Sequence, residues 1–158
     1  MQNKTAKIFD NLEGRWNFSR TIRDRISNTE HYAIGEVVFT RNSESHNTLQ
    51  YVEQGKINLL DVEKEFAFQR KYLFKIKHGE ILIIFDDGIS KGKLYQKLIP
   101  EEESDTHYIG TEHLCLRDHY EGRYAFPNNH EFSILYFIRG PKKNMQIETN
   151  FNKIAETY

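Results

Sequence analysis

From Glu65 to Lys77 the sequence alternates without a break. Phe66, Phe68, Arg70, Tyr72, Phe74 and Ile76 hold the even positions, and Glu65, Ala67, Gln69, Lys71, Leu73, Lys75 and Lys77 hold the odd ones. A period of two is strand geometry, because successive strand side chains leave opposite faces. A strand of this length with a nearly all-apolar face needs other strands to cover that face. The chain is therefore expected to build β-structure around it.

The same period appears elsewhere. In 15–23, Trp16, Phe18, Arg20 and Ile22 share one face, and Arg15, Asn17, Ser19, Thr21 and Arg23 share the other. In 32–40 the inward set is Gly35, Val37 and Phe39. In 48–55 it is Leu49, Tyr51 and Glu53, with Gly55 closing the strand. The four consecutive aliphatic residues in 80–86 predict a strand covered on both faces, and Asp86-Asp87-Gly88 predicts a tight hairpin after it. Further strands are expected at 92–99, 112–120, 121–127, 131–139 and 144–152, with a break at Glu121-Gly122. One helix is predicted over 3–13, with Thr5 capping its first turn and Gly14 just past its end. Ten strands joined by short turns make an antiparallel meander. A sandwich is one closure; a barrel is the favoured one, because it removes both sheet edges. The expected fold is all-β: a single up-and-down antiparallel barrel of about ten strands over 1–158, with a short N-terminal helix closing one end.

Composition narrows the function classes. Lys plus Arg total 22 against 23 Asp plus Glu, for a net charge of −1, so no strong field points to nucleic acid. One cysteine cannot form an internal disulfide. The first residues lack the apolar core of a signal peptide, and no apolar run is long enough to span a membrane. A cytoplasmic protein with no cofactor is expected; oligomeric state is not legible.

Strand parity places Arg20, Glu53, Arg70, Tyr72, His113, Cys115, Asp118, Tyr120, Tyr124 and Tyr136 on the inner face, beside an aromatic wall of Trp16, Phe18, Phe39, Phe66, Phe68, Phe74 and Phe132. His113 and Cys115 differ in parity from Asp118 and Tyr120, so a bulge near Leu116-Arg117 is needed to bring all four inside. Three readings stay open. Buried arginines need negative partners, and Glu53 and Asp118 could neutralise them in a packed interior. Alternatively, Arg20 or Arg70 with Tyr72 presents donors to a ligand carboxylate or phosphate. Finally, His113, Cys115, Asp118 and Tyr120 could do acid–base chemistry on a cavity-bound substrate. One thiolate at mixed spacing matches no standard metal site. The favoured expectation is a small, partly apolar, anionic ligand.

Gly14-Arg15-Trp16, at the start of the first strand, resembles the Gly-x-Trp opening of the calycins, which include lipocalins and fatty-acid-binding proteins. The longer set is more specific: Leu-x-Gly-x-Trp-x-Phe-x-Arg-x-Ile (12–22), Tyr-x-Glu-x-Gly (51–55), Arg-x-Tyr (70–72), His-x-Cys-x-x-Asp-x-Tyr (113–120) and Gly-Pro-Lys-Lys (140–143). Together these resemble DUF6314, a group of small calycin-like proteins. Tyr136 and Ile138 depart from the Trp and Val of that pattern. The resemblance implies a barrel and no particular activity. The Arg70-x-Tyr72 pair is similar to the arrangement that holds carboxylates in fatty-acid-binding proteins. It lies on a middle strand here, so only the chemistry carries over.

Overall fold

A computed structural model describes residues 4–59 and 63–156. Among them one helix, α1 (Lys4–Leu12), precedes ten strands: β1 (Gly14–Asp24), β2 (Thr29–Arg41), β3 (Thr48–Leu59), β4 (Lys64–Lys77), β5 (Glu80–Phe85), β6 (Leu94–Pro100), β7 (His107–Cys115), β8 (Asp118–Ala125), β9 (Glu131–Gly140) and β10 (Lys143–Lys153). Each strand pairs antiparallel with the next, and β10 returns to β1, so the sheet closes into a barrel. The expected fold class is what the chain adopts. Asn3, the first residue of the predicted helix, lies outside the described residues.

The alternating faces land as the period requires. Trp16, Phe18, Val37, Phe39, Leu49, Tyr51 and Phe74 are buried, whereas Asn17, Ser19, Glu36 and Gln50 between them are exposed. Helix α1 lies across the barrel end formed by the start of β1, burying Phe9 and Leu12. Trp16 Nε1 donates to the Leu12 carbonyl at 2.8 Å, so the helix's C-terminal turn is tied to the first strand. Gly14 turns the chain at φ 130°, a conformation that L side chains rarely adopt. Thr5 lies within the helix rather than capping it, and its hydroxyl meets the Tyr108 hydroxyl at 2.8 Å.

The departures from expectation have local causes. Glu121-Gly122 is not a turn: Gly122 sits in the middle of β8, because the Gln96 side chain fills the space its own side chain would take. The β7–β8 reversal comes instead at Leu116-Arg117, with Leu116 at φ 58°. Asp86-Asp87-Gly88 opens a longer loop, 86–93, closed by bonds between Phe85 and residues Gly92 and Lys93. In β5, Ile81 and Ile83 are buried but Leu82 and Ile84 only half so, leaving the outer face partly wet. Nor does Gly55 end β3, which runs to Leu59.

Gly55 has another task. It pairs opposite Gly35, and the Phe18 ring lies over both. A Cβ on Gly35 would stand 2.2 Å from the Gln54 carbonyl oxygen and 2.6 Å from the Gly55 Cα. Both are backbone atoms that cannot swing aside, so the glycine pair lets β2 and β3 bend closely beneath the ring. Gly35→Ala is expected to lower stability by about 2–3 kcal/mol, read as a shifted denaturant midpoint.

Candidate functional site

The end opposite α1 is where β1, β3, β5, β7 and β9 finish. Several inward-facing residues near this end keep partial contact with solvent. Phe68, Tyr72, Phe85, His113, Tyr120 and Tyr136 are half-buried, and Arg70 is exposed although it pairs directly across from buried Glu53. Phe66, expected in the aromatic wall, is 46% exposed at the same mouth.

Below the mouth lies a closed polar network. Arg20 forks onto Glu53, with Nη1 to Oε2 at 3.0 Å and Nη2 to Oε1 at 2.5 Å, and its Nε donates to Thr149 Oγ1 at 2.8 Å. The Tyr51 hydroxyl donates to Glu53 Oε1 at 2.6 Å. Burial works against the Arg20 charge, but the Glu53 hydrogen bond and charge outweigh it and hold its pKa above the ordinary value. Glu53 thus spends its oxygens on Arg20 and Tyr51, and not on Arg70 across the ladder. Arg70 Nη2 donates to the Tyr72 hydroxyl at 3.1 Å, and among the described residues no carboxylate lies within ion-pair range of it.

Aromatic rings floor the mouth. Tyr72 and Tyr95 stack at 5.8 Å, with Phe85 4.8 Å and His113 5.3 Å from Tyr95. Tyr95 reaches the interior because the β5–β6 register slips between Ile83 and Ile84, so that neighbours Tyr95 and Gln96 are both buried. Deeper, the Tyr124 hydroxyl donates to Gln96 Oε1 and meets the Tyr136 hydroxyl at 2.9 Å. Gln96 is held in turn by the close backbones of Gly110 and Gly122. Burial pushes the Tyr95, Tyr124 and Tyr136 phenols well above their ordinary pKa, so all three stay neutral.

His113, Cys115, Asp118 and Tyr120 do share one face, but no bulge at 116–117 achieves it. In the hairpin His113 pairs with Tyr120 and Cys115 with Asp118, while the β7 register slips earlier, between Gly110 and His113. His113 packs on Phe85 and Tyr120, and burial draws its pKa below the ordinary value. Cys115 is exposed on the rim, and Asp118 pairs with Lys143 at 3.3 Å. Trp16 is remote from all of these, edge-on to Phe132 at the closed end. Among the described residues no three His, Cys, Asp or Glu side chains converge, and no helix is long and apolar enough to cross a membrane.

Depressions elsewhere among the described residues carry less chemistry. A recess of about 230 Å³ lies between α1 and the 126–132 turn, with its Lys4 committed to Asp105. An open saddle lies on the outer face of β1–β4, and another depression lies between Glu13–Arg15 and Lys153–Glu156.

Residues 12–153 match DUF6314, described as a family of unknown function. The chain belongs to this family. No curated protein matches the DUF6314 chain significantly. Among solved structures, it is similar to an S-type phycobiliprotein lyase from Guillardia theta, with TM-score 0.71 and 10% identity over 96% of this chain and 93% of that one. It is also similar to a protein of unknown function of the DUF3598 family from Nostoc punctiforme. There the TM-score is 0.59 and the identity 9%, over 92% of this chain but 48% of that one. At such identities both likenesses show the barrel fold of the DUF6314 chain, and the Arg70 mouth rests on its own geometry.

Tyr95 and Gln96 were not legible as site residues, because a register slip between strands leaves no mark in either strand alone. Arg70 was legible as inward-facing by parity, but its exposure depends on where the barrel ends.

Proposed function

We propose that this DUF6314 protein binds a small anion with an apolar, ring-bearing body in the open mouth of its barrel, with Arg70 as the anchor. The observation that carries this is the contrast between two arginines of one interior. Arg20 is given Glu53 bidentately, whereas Arg70 faces Glu53 across the ladder and is left to Tyr72. An unspent guanidinium fork suits a carboxylate or phosphate. The stacked Tyr72 and Tyr95 with Phe85 offer the apolar body a flat contact surface. The similar barrel of the phycobiliprotein lyase supports a working interior over an inert one.

Calorimetric titration with a panel of aromatic and aliphatic carboxylates tests the reading. Arg70→Leu is expected to weaken binding of the best ligand by about tenfold or more. The melting curve without ligand should move by no more than about 0.5 kcal/mol, because no ion pair is lost. Equal affinity in the variant, or a large loss of stability, would overturn the assignment.

His113 adds a pH dependence. Its pKa is lowered by burial, so near neutrality it is uncharged and Arg70 supplies the positive charge of the mouth's inner face. Acidification below the ordinary imidazole range protonates it, while a ligand carboxylate stays ionised until the lower carboxylate range is reached. Affinity for the anion should therefore rise across that window as pH falls. His113→Gln should flatten the profile without abolishing binding. A wild-type affinity that falls over the same window would contradict this placement of His113.

A further inference from the structure

Among the described residues, three turns at the end opposite α1 carry a strongly exposed aliphatic side chain. Ile26 in the β1–β2 turn is 61% exposed, Ile89 in the β5–β6 loop 103% and Leu116 in the β7–β8 turn 93%. Each has an exposed base within two residues in sequence: Arg25, Lys91 and Arg117. Lys142 adds another on the β9–β10 turn. Two of the acidic groups here are turned back on the backbone: Asp24 accepts from the Ile26 and Ser27 amides, and Asp87 from the Lys71 amide. The opposite end carries Glu101-Glu102-Glu103 and Asp105. The acidic run 101–103 therefore lies at the end away from these bases.

We propose that the open rim docks on an anionic lipid surface, with Ile26, Ile89 and Leu116 entering the headgroup layer and the neighbouring bases meeting lipid charge. A protein partner would need a contiguous patch of about 800 Å² on each side. These aliphatic residues instead stand on separate turns spread around the rim, since β1–β2 and β7–β8 lie far apart in the strand order. Separate apolar tips with basic collars suit an interface that is fluid and negatively charged, and one that repels the acidic far end. The inference goes beyond the ligand reading and rests on the rim, not on Arg70.

Co-sedimentation with phosphatidylcholine vesicles, with and without added phosphatidylserine, tests it. The wild-type protein should pellet with the phosphatidylserine vesicles and be released by high salt. I89S/L116S should lower partition on the order of tenfold, with an unchanged melt because both residues are solvent-exposed. Ile34→Ser, on the outer wall and 65% exposed, should leave partition unchanged. The proposal is overturned by a wild-type protein that stays in the supernatant, or by I89S/L116S pelleting like wild type. A concentration-dependent dimer that I89S/L116S abolishes would also overturn it, assigning the tips to a second copy of the chain.

Discussion

Glu53→Leu should be the most damaging single change in the polar interior, costing about 3–5 kcal/mol of folding stability. The side chain is 3% exposed and neutralises Arg20, whose own side chain is 17% exposed. Removing it strands the guanidinium among Phe18 and Phe68, whose rings lie 4.8 and 5.9 Å from it. It also deprives the buried Tyr51 hydroxyl of its acceptor. Tyr51 is buried and the Arg20 side chain is only 17% exposed, so bulk water replaces Glu53 poorly for either group. The double variant R20M/E53L removes both charges and should recover most of the loss, since a buried ion pair is worth little more than well-packed apolar groups. Urea melts of the wild type, the single variant and the double variant measure this directly. A single variant as stable as wild type would mean that Arg20 finds water or another partner.

Trp16→Ala is expected to cost about 3–5 kcal/mol as well, by a different route. Trp16 is 1% exposed, edge-on to Phe132 at 4.8 Å, and its indole N–H is spent on the Leu12 carbonyl. Truncation would leave a cavity at the closed end and untie α1 from β1 together. The helix spans nine residues, too short to persist without tertiary contacts. Its far-UV helical signal should therefore fade before the strand signal when Trp16→Ala is heated. Trp16→Phe keeps most of the volume and should cost clearly less. A Trp16→Ala protein that melts in one step near the wild-type temperature would show that the helix is held by Phe9 and Tyr108 alone.

What could be read from the chain follows from which interactions are local. The inner face of β1 and of β4 is written in single alternation, and the structure keeps it from Trp16 to Arg20 and from Phe68 to Phe74. Closure into a barrel follows from strand number and short turns. The β7–β8 reversal escaped because Leu116-Arg117 contains no glycine, asparagine or proline. Gly122, which does look like a turn residue, serves instead to admit Gln96. Parity places Arg20, Glu53 and Arg70 on one face but cannot say which arginine takes the carboxylate. That choice depends on side chains meeting across three strands: Arg20 on β1, Glu53 on β3 and Thr149 on β10. The neighbourhood of His113 likewise depends on Phe85 and Tyr95, delivered by separate strands and a register slip.

Native mass spectrometry of wild type and Arg70→Leu, each incubated with the same carboxylate panel, shows whether Arg70 anchors a bound anion. The wild-type protein should carry one ligand mass, on the order of a few hundred daltons, and the Arg70→Leu protein should be bare with an unchanged charge-state envelope. The same bound mass on both proteins, or a wild-type protein that binds none of the panel, would contradict an anion site anchored by Arg70.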